Sequence, residues 1–490
     1  MSKSYSNLAI FQFATSSIHL ATSIYLGDQS TKHHNVYYYF WPNATKMPNR
    51  MAKSYHNFFF SQRRNIDNFV NQINPRINLV HTIRNFDTNN FKDKLSAVKT
   101  SLRLCNTLMD LKNLDQITPG LGSALANEMA NRGFNKNSSI DNFIANKLIN
   151  SLVYSYLKVY FATAAEIRHQ NISKAYIYNG RFLHERSAWE ACKNFGVDVN
   201  IFENIRNRYY INSQGFHNRK INQKNILQNW KKSKTSLKKR MALAEKYFAS
   251  FESKQNPFFK SLKIENSIVI PDHYLVYFSN SDKEAFGFWE HWHEPFRNQI
   301  SAVNILAKYL YIKKICLVIR LHPNMVNDKK EELDNWLQFK KYKNVILVLP
   351  EDQISSYWIL RRSLGVISYG STIGIEAAWN LKPTAVLADC KYDELGVADK
   401  LRNSRELKTW INRINSIDRR VLNTRKSAAA KWAYWIEESG TVLPNCTFTD
   451  KGWGAWEVLT YRNLQIPFLQ SNRYLNTLIF KLKELFFKIS

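Results

Sequence analysis

The chain has 490 residues, 44% of them hydrophobic, with 69 Lys and Arg against 39 Asp and Glu for a formal charge of +30. The length exceeds one ordinary core and predicts two domains of roughly 150–250 residues with an extension, and the apolar share is that of a globular protein. No stretch approaches the roughly 18–20 uninterrupted apolar residues of a membrane span, which argues against an integral membrane protein.

The first segments alternate strand and helix. Residues 8–14 read as an apolar strand entering a helix that runs to about 26, not as a secretory signal, because Gln12, Ser16, Ser17 and His19 break the apolar run. Residues 34–41 and 77–83 read as further strands, and 121–169 as two helices separated by Gly133 and the Asn/Ser cluster 135–139. Residues 174–203 give strand, turn, helix and second strand, with Gly196 ending the helix. That order is a βαβ unit. Asn179, Gly180 and Arg181 then close its first strand and Glu203 its second, at carboxyl ends where open parallel sheets bind ligands.

Residues 206–247 are strongly basic and read either as a solvated helical linker or as an acceptor-facing or membrane-facing patch. A second alternating region follows: a strand from about 273 ending in the loop Ser279, Asn280, Ser281, Asp282, then helix 296–312, strand 315–321, helix 328–342, strand 344–349, helix 353–363, strand 364–369, a helix from 372 and a strand at 383–388. This succession predicts a second doubly wound α/β domain. The expected boundaries are 1–260, with a basic linker over 206–260, then 261–440, then an extension 441–490. In the tail 473–489, Leu475, Leu478, Ile479, Leu482, Phe486 and Ile489 share one helical face with lysines mostly off it, a pattern suited equally to an anionic bilayer and to packing on the protein.

Cys105, Cys192, Cys316, Cys390 and Cys446 are odd in number and share no CxxC spacing, which fits reduced thiols and a cytosolic location. The positive charge must attract anions such as nucleotides, phospholipid headgroups or acidic glycans. A compositional lean toward Lys, Asn, Ile, Tyr and Phe explains it equally well, so nucleic acid is not taken as the partner.

Two runs carry the chemistry. "LVIRLHPN", residues 317–324, is an apolar strand that ends on an imidazole, His322, with Pro323 biasing the preceding residues toward extended geometry. "SLGVISYGSTIGIEAAWNLKP", residues 363–383, is a strand that turns through Gly370, Ser371 and Thr372 into a helix carrying Glu376. Gly370 permits the tight turn, the two hydroxyls and the helix start suit a phosphate, and Glu376 stands one turn on, where a carboxylate accepts ribose hydroxyls. Placed on neighbouring strands, an imidazolium and such a cradle would stabilise a departing nucleotide. For proton removal from an acceptor hydroxyl, or attack on the anomeric carbon, Glu203 is the first candidate, then Glu185, read as lying on a helix surface, and Asp198. Asn179, Gly180 and Arg181, with Ser279 and Ser281, are candidates for sugar or acceptor contact, Arg being suited to carboxylates. No Asp-x-Asp element is present, "EHWHE" at 290–294 lacks the spacing of a helical metal pair, and GxSxG, GxxxxGK[ST] and GxGxxG do not occur, so no metal site, P-loop or nicotinamide enzyme is expected.

"RLHPN" (320–324), "LPEDQISSYWIL" (349–360) and "SYGSTIGIEAAWNLKP" (368–383) together resemble the nucleotide-binding half of GT-B glycosyltransferases of bacterial capsule and lipopolysaccharide synthesis, and "YNGRFLHERSAWEACKNFGVDVNIFE" (178–203) is similar to their N-terminal half. The resemblance spans about residues 170–400 and includes transferases using CMP-linked Kdo or sialic acid and, more distantly, the CDP-glycerol polymerases of teichoic acid. It implies an α/β fold with two Rossmann-like, doubly wound domains facing a cleft. It also implies that His322, Pro323, Gly370, Ser371 and Thr372 hold the donor phosphate, and that Glu351 or Glu376 binds ribose or base. The implied partners are a nucleotide-sugar donor and a glycan or lipid-linked glycan acceptor, with peripheral contact to an anionic inner membrane and no bound cofactor. The teichoic acid enzymes usually show an aspartate and paired serines where this chain has Tyr369, Gly370, Ser371 and Thr372, which favours CMP-sugars. UDP- or CDP-linked donors on the same scaffold, and a non-catalytic polyanion-binding protein using segment 206–247, are the alternatives.

Overall fold

The computed structural model describes residues 5–13, 16–41, 64–81, 83–131, 134, 139–140, 143–205, 207–213, 215, 218–253, 269–280, 295–323, 325, 330–352, 354–450 and 456–467. Contacts divide the chain into two compact units, one of Met1–Ala97, Asn150–Ser213 and Val442–Ser490, the other of Val98–Ile149 and Gln214–Thr441.

The first unit holds strands β1 (Ser6–Gln12), β2 (His34–Phe40), β3 (Ile77–Val80), β4 (Ile172–Tyr178), β5 (Asp198–Ile205) and β6 (Arg208–Asn212). They lie in the order β6-β5-β4-β1-β2-β3, with the short strand Thr441–Val442 beyond β6. Among β1–β6 the pairings are parallel except β5 with β6, which form a hairpin. The second unit holds β7 (Tyr274–Phe278), β8 (Cys316–Arg320), β9 (Val345–Val348), β10 (Gly365–Ser368), β11 (Thr384–Val386) and β12 (Asp399–Lys400), in the order β12-β11-β10-β7-β8-β9 and parallel throughout. Counted within the unit this is 3-2-1-4-5-6, the Rossmann order, and the first unit repeats its 3-2-1-4-5 part. The expected pair of Rossmann-like α/β units is therefore present.

The unbroken apolar strands follow from two-sided burial. In the second unit Leu275, Tyr277, Leu317, Ile319, Leu321 and Ile367 enter one core, whereas Tyr274, Val276, Phe278, Val318 and Val366 enter another on the opposite face. A chain whose strands bury both faces leaves only the strand ends for polar work.

The division of the chain departs from the expected contiguous domains. The basic segment forms two helices, Arg219–Lys232 and Leu237–Ser253, that belong to the second unit and are not a free linker. Ile226, Ala244 and Phe248 are buried, Trp230 meets Tyr434 edge-on at 5.5 Å, and Phe248 stacks on Trp379 at 4.7 Å. Lys220, Lys224, Lys231, Lys232, Lys234, Lys238 and Lys239 stay exposed, as long cationic chains do on a helix whose other face is packed. Beyond residue 441, the antiparallel strands Cys446–Asp450, Trp456–Tyr461 and Leu464–Gln465 pack on helix Ser17–Ser30 of the first unit, where Ser17 Oγ accepts the Val458 N–H at 3.1 Å. The amphipathic tail 473–489 and "EHWHE" (290–294) lie outside the described residues. Among the described residues no helix is long and apolar enough to cross a membrane, and all five cysteines are free thiols.

Candidate functional site

In the second unit the strand order reverses between β7 and β10, and ligand crevices of such sheets open at the carboxyl ends beside that switch point. Three predicted features stand on this edge: Ser279 after β7, His322 after β8, and Gly370, Ser371 and Thr372 after β10. The His322 loop and the glycine turn were expected on neighbouring strands. They are separated by β7, hence by two strand spacings, about 10 Å. The reason is topological, since the first strand of a Rossmann unit lies in the middle of the sheet.

Ser279 fills that middle position differently from expectation. It is 1% exposed, and its hydroxyl accepts the His322 backbone N–H at 2.8 Å while lying 3.6 Å from the Met325 sulfur. It is a brace that fixes where the imidazole leaves the sheet, not a surface contact. Its own N–H bonds the Arg320 carbonyl at 3.1 Å, which ties β7 to β8 at the edge. His322 and Pro323 remain partly exposed, and Ser281 lies outside the described residues.

The turn after β10 is held from below. Gly370 has φ +99, and a Cβ there would come within 2.9 Å of the Cys390 Cβ. A Cβ on Gly374 would come within 2.3 Å of the Tyr392 hydroxyl. These two glycines let the loop after β11 press against the turn, where the buried Tyr392 hydroxyl bonds the Ser371 carbonyl at 2.6 Å and Ser368 Oγ at 3.0 Å. The helix that follows, Ile373–Trp379, has seven residues; Thr372 is exposed at its start, while Ser371 and Glu376 are partly buried.

The loop after β11 is fixed in turn by charge. Arg219 reaches Asp389 at 2.7 Å, Asp393 at 2.9 Å and Glu394 at 3.1 Å; Lys400 reaches Asp389 at 3.1 Å and Asp393 at 2.5 Å; Arg402 reaches Asp389 at 2.8 Å. Gln223 Nε2 donates to Asp393 at 2.8 Å. Burial raises the Asp393 carboxyl above its ordinary range, partly countered by Gln223 and Arg219. Burial also works against the Arg219 charge, but Asp393, Asp389 and Glu394 outweigh it and hold the guanidinium above its usual value. Sequence reading missed this clamp: Arg219 sat among lysines that stay solvated, and only the acidic run "DCKYDE" (389–394) after a buried strand hinted at a partner.

Glu351 is exposed in the turn after the edge strand β9, on the β8 side of the sheet, and so stands away from Glu376 beyond β10. The two carboxylates proposed for the same ribose or base thus occupy different parts of the edge.

The first unit gathers a second set at its own switch point, between β1 and β4. Asn179 (φ 55) and Gly180 (φ 77) turn the chain out of β4, and a Gly180 Cβ would meet the Trp189 ring at 2.9 Å. Glu203 does not close β5 as expected; the strand continues to Ile205 and pairs Glu203 with Tyr210 in the hairpin. Its carboxylate accepts from Asn179 Nδ2 and from the Tyr178 hydroxyl. Asn179 and Gly180 are buried, so Asn179 serves the carboxylate where a sugar contact was expected, while Arg181 is partly exposed and lies over the Phe182 ring at 4.7 Å. Tyr178 also stacks on His19 at 3.7 Å, and burial keeps its hydroxyl protonated well above the usual phenol range. Glu185 is buried near Tyr178, not on the helix surface, because the first turn of helix Leu183–Asn194 faces the sheet. Asp198 begins β5, at the amino end and away from this edge.

No protein-family model matches the chain, and no curated protein matches it either. Solved structures with some likeness include UDP-GlcNAc 2-epimerase from Neisseria meningitidis bound to UDP-GlcNAc, at 12% identity and TM-score 0.29 over 89% of this chain and 98% of that one. KpsC from Thermosulfurimonas dismutans, a beta Kdo 2,7 transferase, is 11% identical at TM-score 0.31 over 50% of this chain and 74% of its own. MurG from Acinetobacter baumannii is 9% identical at TM-score 0.28 over 87% and 95% of the two chains. Likeness at this level assigns the chain to no family.

Proposed function

We propose that the chain is a glycosyltransferase of the GT-B type that takes a sugar from a nucleotide-linked donor, with a CMP-linked acidic sugar such as Kdo or sialic acid as the favoured cargo and a bacterial surface polysaccharide or lipopolysaccharide as the acceptor. The observation that carries the reading is the carboxyl edge of the second unit. At the switch point of a Rossmann-ordered sheet, a partly exposed imidazole is pinned through its backbone by Ser279, and a glycine turn bearing two hydroxyls is braced by Tyr392. His322 would meet charge growing on the leaving phosphate, and Ser371 and Thr372 would supply neutral donors to the same group. Glu203, already accepting two hydrogen bonds, is the proposed base for the acceptor hydroxyl.

A donor screen tests this directly. Purified protein is offered CMP-, UDP-, GDP- and CDP-linked sugars, and release of free nucleotide is measured. Release from CMP-linked compounds above the others is expected, together with a higher melting temperature in CMP. Release from UDP- or CDP-linked compounds alone would move the donor on the same scaffold. Stabilisation by RNA with no nucleotide effect would replace the enzyme with a polyanion binder.

A further inference from the structure

Arg320 ends β8 and is 1% exposed. Its Nη1 donates to the Leu349 carbonyl, whereas Nε and Nη2, both sealed from solvent, have no hydrogen-bond partner among the described residues. Those two nitrogens form the side-on fork of a guanidinium, the edge whose parallel N–H groups match two oxygens of one carboxylate or phosphate. Burial pulls the group down to about 10, against the attraction of Asp352 and Glu351, so it stays charged at neutral pH. A buried cation with its fork unmatched is costly to keep, and the pattern of β8, with Val318 on the same face, would accept an aliphatic residue here. Two residues further on stands His322, on the edge already described.

We infer that Arg320 is an oxyanion-binding residue that takes an anionic group of the donor bidentately through Nε and Nη2; this rests on the donor reading above. Two sources present that chemistry, the nucleotide phosphate and a carboxylate on the transferred sugar. The Leu349 carbonyl that takes Nη1 opens the turn Leu349–Asp352, which is cinched by Leu349 N–H to Asp352 Oδ2 at 2.6 Å and Asp352 N–H to the Leu349 carbonyl at 3.1 Å. Because Nε and Nη2 are sealed, admission of an oxyanion requires local opening around them, and two charge-assisted bonds would offset what opening breaks.

Calorimetric titration of the full chain and of Arg320→Lys, which keeps the charge and loses the fork, tests this with cytidine, CMP and CMP-N-acetylneuraminate. If phosphate is the group, the preference of the wild type for CMP over cytidine falls at least about tenfold in the variant. If the sugar carboxylate is the group, CMP binding is kept, and the gain from CMP to CMP-N-acetylneuraminate falls by that factor. Unchanged ratios in a folded variant overturn the role of Arg320 and leave the donor reading standing. A wild type that binds none of CMP, UDP and GDP overturns both. Should Arg320→Lys fail to fold, the Arg320 Nε–H resonance of the wild type decides: a downfield shift on saturation with CMP or CMP-N-acetylneuraminate supports the fork, and no change overturns it.

Discussion

The two units share the strand order 3-2-1-4-5 and carry opposite chemistry at the equivalent edge of each sheet. At its carboxyl edge the second unit presents an imidazole, hydroxyls and a buried guanidinium, with its carboxylates Asp389 and Asp393 neutralised by Arg219, Lys400 and Arg402. The first unit presents a carboxylate, Glu203, supported by a phenol and an amide, with a histidine whose burial drives it neutral. One topology thus offers anion-attracting groups in one unit and a proton-accepting group in the other. The fold supplies the edge; the residues at the strand ends decide what it does.

Substitutions should separate the two edges, and the largest effect belongs to the first unit. Glu203→Gln is expected to lower kcat for nucleotide release about 10²–10⁴-fold while leaving nucleotide binding intact; an unchanged kcat would remove the proton-accepting half of the contrast. In the second unit Arg219→Met leaves Asp389 and Asp393 to Lys400 and Arg402 alone and, by removing one partner of a buried charge network, should cost about 2–4 kcal/mol in urea unfolding. A loss under about 1 kcal/mol would mean the clamp contributes no more than a surface ion pair.

His322→Ala comes next, with transfer expected to fall about 10²–10³-fold and the melting temperature nearly unchanged, since the ring is partly exposed. Equal turnover would leave the second edge without its electrostatic role. Gly370→Ala sharpens the structural side of the contrast, because it combines φ +99 with the Cys390 contact and should destabilise by about 1–3 kcal/mol in thermal or urea melts. A neutral result would mean that the loop after β11 can yield.

Near neutral pH the smallest effect is a pH dependence carried by His19 of the first unit, which grows only on acidification. Burial lowers His19 from 6.5 to about 3. The unfolded chain therefore takes up a proton near pH 6.5 that the folded unit refuses, so the contribution to stability is whole above 6.5 and is lost as pH falls toward 3. The slope is at most about 1.4 kcal/mol per pH unit. His19→Phe, which keeps an aromatic face toward Tyr178, should flatten this limb in unfolding curves measured across that window, and an unaltered slope would assign the acid sensitivity elsewhere.

Much of the architecture was legible from periodicity. The apolar runs at 274–278, 316–320 and 365–368 have no polar alternation, and that alone marks strands buried on both faces with their chemistry at the ends. The βαβ order of 174–203 is legible from the turn and the glycine-ended helix between its strands, and the turn at 370 from its glycine. Local pattern does not reveal a side chain's role where its partner is remote in the chain. Ser279 reads as a loop serine until the His322 N–H is placed 43 residues away, and Arg219 reads as one more cation until its carboxylates arrive 170 to 175 residues later.

By itself the sequence determined most of the parallel strands and the residues at the carboxyl ends of β4, β7, β8 and β10, because these follow from local burial patterns and backbone chemistry. Only the tertiary structure decided that β7 stands between the imidazole and the glycine turn, that Glu203 pairs within a hairpin, and that one arginine of the basic segment is buried while its lysines are not. Those outcomes depend on strand order and on charges brought together across long stretches of chain, and no local pattern of residues encodes either.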